Sequence, residues 1–211
     1  MKTKKSFFLT LSLFTLTLLS FGCSSSDKNN ENSPNAKVTS IEATVNGVGD
    51  SVDQVYLCAN ESYYDDDEVL LRSEFSNNHF KFDLKNTTVD EKYLDLLTSD
   101  EKYKNVTVSD KSTKICHGQF YAYKDGAKVG YMTLIDGSKS IGYIYVDRDV
   151  TLVGEDQNED ENDEEDSYST KVNLNLQKGW NEIVYTFGND NEVTAMETGI
   201  LHNAKWRYEA R

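Results

Sequence analysis

The sequence has little proline, histidine and positive charge, and each shortage excludes a class of structure or function. The one proline is Pro34, so the edges of later strands must be protected by charged side chains or loops instead. His79, His117 and His202 lie far apart, without the paired spacing that would indicate a zinc site. Lys and Arg number 22 against 36 acids, a formal charge of −14. A chain this acidic repels nucleic acid, so we predict no nucleic-acid partner.

Sequence motifs that mark common catalytic sites are also missing. There is no Gly-x-Ser-x-Gly nucleophile turn, no glycine-rich phosphate loop and no His-Glu-x-x-His. Cys116 and His117 are adjacent, so in a strand their side chains point to opposite faces and cannot act together as nucleophile and base. Because the chain has 36 acids, accidental carboxylate pairs carry no information. We therefore predict a protein that is not an enzyme and has no cofactor.

The first 22 residues are arranged like a bacterial export signal. Three lysines stand among the first five residues, and the apolar run Phe7–Phe21 follows. That run is too short for a transmembrane helix, which takes about 20 apolar residues. The end of the run, Leu19-Ser20-Phe21-Gly22-Cys23, resembles the lipobox of bacterial lipoproteins. The resemblance implies cleavage after Gly22 and lipid attachment at Cys23; an ordinary secretory signal that ends near a cysteine is the alternative.

The residues after Cys23 are polar and serve, in this interpretation, as a flexible tether over residues 23–36, with the folded domain at 37–211. Two or more acyl chains hold a protein stably at a membrane, whereas one gives only marginal anchoring. Ser24 directly after the cysteine resembles outer-membrane sorting. We therefore expect an outer-membrane lipoprotein that faces the periplasm or the cell surface. Removal of residues 1–22 takes away three lysines and no acid, which makes the formal charge −17.

Beyond residue 37 the chain is a succession of short strand patterns. Apolar and polar residues alternate with period two through residues 79–84, 171–177 and 182–187. Asp125-Gly126 and Asp136-Gly137 are typical of hairpin turns. Residues 90–98 depart from this pattern. Their apolar side chains have roughly helical spacing, so we expect one short helix there.

Thr88 and Glu91 resemble a capping box at the start of that predicted helix. Many short strands and one helix predict a mainly β fold, an antiparallel β-sandwich of the immunoglobulin-like or a similar kind. A small β-barrel is the alternative. The segments Tyr145–Gly154 and Asn175–Asn181 resemble a pattern of small Bacteroidota lipoproteins. That resemblance implies a β-rich exported domain and transfers no activity.

Two cysteines, Cys58 and Cys116, remain in the folded domain. An exported protein is permitted a disulfide between them. Strand parity opposes one, because Cys58 points away from the face that Val55 and Leu57 share, whereas Cys116 could point inward with Phe120. A bulge could reconcile the two, so a disulfide and two separate thiols both stay open.

The most unusual composition is that of residues 155–166, with nine acids in twelve residues and no base. Such a block repels itself and buries little apolar surface, so we interpret it as a solvated loop between two strands. The alternative is a weak calcium site, because Asp156, Asn158 and Asp160 have the one-three-five spacing of a calcium loop. Glu161 occupies the sixth place, where the turn needs glycine. We therefore predict no metal site.

Tyrosines are abundant, with 13 in the chain. If Tyr121, Tyr123, Tyr143 and Tyr145 are exposed on two neighbouring strands, their rings would make a binding face for a sugar or a protein. The alternative, which we favour, is that these rings fill the second face of the sheet beneath the helix or the acidic loop.

The composition and motifs together favour one function class and leave two alternatives. The leading hypothesis is a lipid-anchored, non-catalytic binding or accessory module at the outer membrane, with a protein or glycan partner. One alternative is a carrier that holds a small ligand inside a closed barrel. The other is a hydrolase that uses loop carboxylates, which would have to face each other across a cleft.

Overall fold

The computed structural model describes residues 37–59, 68–99, 105–158 and 168–211, all within the unit Pro34–Arg211. The strands in these ranges are β1 Ser40–Thr44, β2 Gln54–Ala59, β3 Glu68–Glu74, β4 His79–Asp83, β5 Asp95–Leu96, β6 Thr107–Val108, β7 Lys114–Lys124, β8 Ala127–Asp136, β9 Lys139–Val146, β10 Val150–Asn158, β11 Tyr168–Leu176, β12 Gly179–Phe187, β13 Val193–Thr198 and β14 Lys205–Ala210. Short 3₁₀ helices span Gly49–Ser51, Glu91–Tyr93 and Leu97–Ser99. The predicted mainly β fold is confirmed.

The strands form two sheets. The pair β1–β4 makes the smaller one, and the larger follows the order β3-β2-β7-β8-β9-β12-β13-β11-β10-β6, with β14 added beside β8 and β5 beside β7. Its pairings are antiparallel except that of β11 with β13. The terminal strands β3 and β6 of this path do not pair with each other. The sheet is therefore open over the described residues, and the small-barrel alternative is wrong for them.

The tight connections form at the turn residues that the sequence indicates. Asp125 and Gly126 have φ values of 50° and 80° between β7 and β8, as a two-residue hairpin turn requires. Buried Asn181 secures the β11–β12 turn. Its side-chain oxygen accepts from the Gln177 amide at 2.9 Å, and its Nδ2 donates to the Gln177 carbonyl at 2.7 Å and to the Gly179 carbonyl at 2.8 Å.

One face of the large sheet, here called the Phe120 face, is covered by the β1–β4 pair. Side chains of β2, β7, β8, β9 and β14 meet those of β1 and β4 there in an aromatic core. The ring centroids of Phe120 and Trp206 are 5.2 Å apart at 83°, and those of Phe80 and Trp206 are 5.1 Å apart at 82°. Such edge-to-face pairs contribute beyond their burial of apolar area.

Among the described residues, the opposite face, here called the Tyr121 face, is covered only at one end. Strands β6, β10 and β11 fold back over β9 and β12 and enclose a second, aliphatic core. Its fully buried members include Ile144, Leu152, Leu174, Ile183 and Met196. The two cores lie on opposite faces, so β9 and β12 are buried on both sides, as their high apolar content requires. Towards β2, β7 and β8 the part of this face that the structure describes carries a small cluster of Tyr56, Cys58 and Tyr123.

The predicted helix at residues 90–98 is wrong in its type and its cap. Two short 3₁₀ turns form there, with β5 between them. Asp90 rather than Thr88 caps the first turn, because its carboxylate accepts a hydrogen bond from the Lys92 amide at 3.2 Å. A segment of nine residues is below the length at which a helix is stable by itself. Pairing with the edge of β7 satisfies its backbone instead.

No disulfide joins Cys58 and Cys116, so the disulfide alternative is wrong. Cys58 lies directly opposite Gln119 and therefore on the Tyr121 face, whereas Cys116 lies opposite Tyr145 on the Phe120 face. Both side chains are buried. Side chains that leave opposite faces of one sheet do not have the Cβ approach that a disulfide needs.

Other predictions fall partly or wholly outside the described residues. The export signal, Cys23 and the tether lie outside them. No helix within them is long and apolar enough to cross a bilayer. The acidic loop begins later than predicted, because residues 155–158 continue β10 in register with β11, and residues 159–167 are again outside the described ranges.

Candidate functional site

A row of side chains crosses five adjacent strands on the Tyr121 face. In the register of the sheet Arg72 lies opposite Tyr56, and Tyr56 lies opposite Tyr121. Tyr121 lies opposite Tyr131, which in turn lies opposite Glu209. Directly opposed residues share a face and interact. Strands β3, β2, β7, β8 and β14 therefore present an Arg-Tyr-Tyr-Tyr-Glu sequence across the sheet, here called the tyrosine row.

The end of the row nearest β3 is held by ring stacking. Tyr123 stacks on Tyr56 with ring centroids 3.9 Å apart and an angle of 22°. The Arg72 guanidinium lies 4.8 Å from the centroid of the Tyr56 ring, within the range of a cation–π interaction. Both rings are buried. This end of the row is a rigid platform, because each ring is fixed by a neighbour.

The other end of the row is open. The Lys128 ammonium lies 3.9 Å from the ring centroid of half-buried Tyr121. Tyr131 is 42% exposed, although its neighbours on the same strand, Gly130 and Met132, are buried. A hydrogen bond with Glu209 raises the pKa of the Tyr131 hydroxyl. The hydroxyl is therefore neutral at physiological pH, and the ring stands at the surface.

The predicted four-ring face is wrong in its membership. Tyr143 and Tyr145 lie opposite Gly118 and Cys116, which places them on the Phe120 face. They are 4% and 6% exposed, and the Tyr143 ring is 5.3 Å from that of Phe120. They fill the aromatic core. This agrees with the favoured alternative in one respect, that the rings are buried. The Tyr121 face instead carries Tyr56 and Tyr131 beside Tyr121. The sequence did not indicate these two residues as members of the face.

Beside the tyrosine row the sheet has an opening where three strands meet. Strand β7 pairs with β9 as far as Gly118 and with β8 from Tyr121 onward. Strand β8 pairs with β9 only from Leu134. The residues left between these pairings are Gln119, Phe120, Met132, Thr133 and Gly142.

A cavity of about 360 Å³ occupies this gap, and we call it the sheet opening. By strand parity, its mouth on the Tyr121 face is formed by His117, Gln119, Thr133, Ser140 and Tyr185. Its floor on the Phe120 face is formed by Phe120, Met132, Tyr143 and Trp206. The cavity thus runs from a polar rim into the aromatic core.

A half-buried acid, Glu182, lies next to the floor of the sheet opening. The Tyr143 hydroxyl donates to Oε1 of Glu182, directly opposite on β12, at 3.0 Å. Burial raises the pKa of Glu182, and the hydrogen bond from Tyr143 opposes that rise. Burial first, and then the nearby Glu182 carboxylate, raise the pKa of Tyr143 well above its ordinary value. The phenol is therefore a fixed hydrogen-bond donor at neutral pH.

The weak calcium site that the spacing offered is not formed by its described members. Asp156 and Asn158 belong to β10, and in a strand such positions stand roughly 7 Å apart instead of folding around an ion. Asp160 lies outside the described residues. No group of three His, Cys, Asp or Glu side chains that could hold a metal occurs among the described residues. Asp156 is instead 2% exposed at the end of the aliphatic core.

The two segments that resemble the lipoprotein pattern meet in space and have a structural role. The carboxylate of Asp149, in the turn before β10, accepts from the Lys178 amide at 2.7 Å in the turn before β12. Next to it, Asp147 accepts from the Lys114 amide at 2.9 Å and from the Arg148 guanidinium at 2.8 Å. The pattern therefore ties neighbouring turns together and contributes no side chain to the sheet opening.

No family model matches this chain, and no curated protein or solved structure matches it. The features of the fold that bear on function lie on the Tyr121 face. This face combines an aromatic platform, an exposed ring and a cavity of ligand size within one sheet. Shape, ring stacking and neutral hydrogen bonds are the interactions that these features offer to a ligand.

Proposed function

We propose that the protein is an exported, lipid-anchored and non-catalytic binding module whose Tyr121 face holds a neutral glycan. The observation that carries the proposal is the tyrosine row, in which three rings stand in register across adjacent strands and the last one is exposed. The exposed ring of Tyr131 gives contact area at a low entropic cost, since a tyrosine has only two side-chain torsions to fix.

The charge of the chain supports a neutral partner. At −14 for the whole sequence, the protein repels polyanions at long range. The row itself ends in one cation, Arg72, and one anion, Glu209, so it carries no net charge at its ends. A neutral polysaccharide is not repelled at long range by the negative charge of the chain.

Attachment to the outer membrane through Cys23 forms part of the same proposal and is supported by the lipobox resemblance. A tether over residues 23–36 would let the Tyr121 face reach glycan near the membrane surface. The role is that of an accessory protein that retains glycan rather than converting it.

The two alternatives fit the site less well. The carrier hypothesis placed the ligand inside a closed barrel, and the described strands form an open sheet. A glycoside hydrolase would need two carboxylates facing each other across the cleft. Neither Asp nor Glu is among the described residues that line the sheet opening.

Affinity electrophoresis in gels that contain a neutral polysaccharide (xylan, mannan or dextran) tests the proposal. We expect at least one of these polymers to retard the protein. Tyr131→Ala should be retarded less, with an apparent Kd about tenfold higher, as for the loss of one stacking contact. Tyr93→Ala is the control, because Tyr93 is a half-buried tyrosine that lies off the row. Equal migration of all three proteins in every gel would contradict the proposal.

A further inference from the structure

We infer that the sheet opening is a site for one neutral sugar ring, a pyranose unit at the end or side of the bound glycan. This inference rests on the proposed function and adds to it a second, deeper subsite. The tyrosine row offers the exposed ring of Tyr131 at the surface, whereas the sheet opening can enclose a ring. Its size, its charge and its chemistry each support this assignment.

The size of the sheet opening admits one ring. Its volume of about 360 Å³ is at the lower end of the range of roughly 300–1,000 Å³ found for small-molecule sites. An oligosaccharide would have to continue outside, and the Tyr121 face has the adjoining platform. Tyr121 and Gln119 are alternate residues on β7 and share that face, so a chain leaving the opening meets the tyrosine row directly.

The lining of the sheet opening selects a neutral ligand. None of its fifteen described residues is Asp, Glu, Lys or Arg, although 27% of the chain is charged. Two acids stand just behind the lining, since Thr133 donates to Glu209 at 3.4 Å and Tyr143 donates to Glu182 at 3.0 Å. An anionic sugar would be repelled by both carboxylates.

The chemistry of the lining changes with depth in the way that a sugar requires. The rim offers the amide of Gln119 and the hydroxyls of Thr133 and Ser140, which are neutral donors and acceptors. The floor offers the rings of Phe120 and Trp206. A pyranose has a rim of hydroxyls and an apolar C–H face, so both parts find partners. A wholly apolar ligand would cover the polar rim without satisfying it.

A glycine makes room at the wall of the opening. Tyr185 on β12 is paired with Ser140 on β9, and its ring packs over the neighbouring Gly142. A methyl group at position 142 would overlap this ring. The ring can occupy this place only because Gly142 has no side chain. Tyr185 therefore borders the mouth of the opening as an aromatic wall, close to the rim formed by Ser140.

Titration of the full-length protein with D-glucose, D-galactose, D-mannose and D-xylose tests the inference, with tryptophan fluorescence as the readout. Trp206 lies in the floor, and the chain has only one other tryptophan. We expect a saturable change with at least one neutral sugar, at least tenfold weaker binding of D-glucuronate, and loss of the signal in Trp206→Phe.

Two substitutions at the rim, Gln119→Ala and Ser140→Ala, are each expected to weaken sugar binding at least fivefold. Ser138→Ala is the matched control, because Ser138 is an exposed serine two residues away in the β8–β9 turn, outside the lining. A thermal melt of each variant separates lost binding from lost folding. Unchanged affinity in both folded rim variants would overturn the inference.

The outcomes also separate this inference from the proposed function. Polysaccharide retention that depends on Tyr131, together with no binding of any free sugar, would overturn the sheet opening as a sugar site and leave the binding module standing. Saturable binding of cyclohexanol or indole with no binding of sugars would also overturn the inference. Absence of polysaccharide and sugar binding alike would overturn both.

Discussion

Tyr121 of β7 lies directly opposite Tyr131 of β8, and this pair is the first after β7 has left β9. The two rings therefore stand at the margin of the sheet opening as well as in the tyrosine row. The change of partner of β7, from β9 to β8, thus places the tyrosine row and the sheet opening side by side on one surface.

Replacement of Glu182 by Gln should change how stability depends on pH. Burial raises the pKa of Glu182 in the folded protein, so between its ordinary and its raised pKa the native state holds a proton that the unfolded state has released. Stability from this group is therefore fully present below the ordinary pKa and is lost as the pH rises through the raised one.

The amide introduced by Glu182→Gln cannot ionise and still accepts from Tyr143, so this variant should gain stability relative to wild type as the pH rises from about 4 to about 7. Urea unfolding at several pH values measures the difference, and Glu197→Gln, at an exposed position on β13, is the control. A difference that shrinks as the pH rises would show that the folded state favours the ionised carboxyl.

Replacement of Asn181 by Ala should destabilise the protein by about 1–3 kcal/mol, because it takes away the side-chain partner of backbone groups in the β11–β12 turn. The change removes three hydrogen bonds of 2.7 to 2.9 Å within the β11–β12 turn. Denaturant unfolding measures the loss. The control Asn173→Ala, exposed on neighbouring β11, should stay within about 0.5 kcal/mol of wild type, and equal effects of both changes would contradict the role of Asn181.

Replacement of Gly142 by Ala should displace the Tyr185 ring and cost about 1–3 kcal/mol, as overpacking does. Gly199→Ala is the control, because the nearest atom to an added methyl there is Val184 Cγ2 at an ordinary 3.6 Å. Unfolding free energies report the cost, and the NMR ring signals of Tyr185 report its movement. Unmoved ring signals in Gly142→Ala would refute the close approach of these two residues.

Local patterns in the sequence were sufficient to predict strands and turns. Val172, Leu174 and Leu176 alternate with polar residues and form the inward face of β11, because period two is a property of the strand itself. Asp125-Gly126 forms the expected hairpin because its positive φ values are a property of the two residues.

The site was less predictable because it depends on which strands pair. Placing Tyr143 on the opposite face from Tyr121 requires the β7–β9 register, which pairs Tyr143 with Gly118, and alternation within one strand carries no such information. The sheet opening arises where β7 changes partner, a consequence of strand order. The turn between β9 and β10 also depends on a residue distant in sequence, because Asp147 in this turn accepts a hydrogen bond from the Lys114 amide at 2.9 Å.

Hydroxyl-radical footprinting of the protein with and without a retained neutral polysaccharide tests the central claim most directly. Tyr131 is 42% exposed and is therefore oxidised readily in the free protein. We expect bound polysaccharide to protect the peptide containing Tyr131 and to leave the peptide containing Tyr93 unchanged. Undiminished oxidation of Tyr131 in the presence of bound polysaccharide would contradict it.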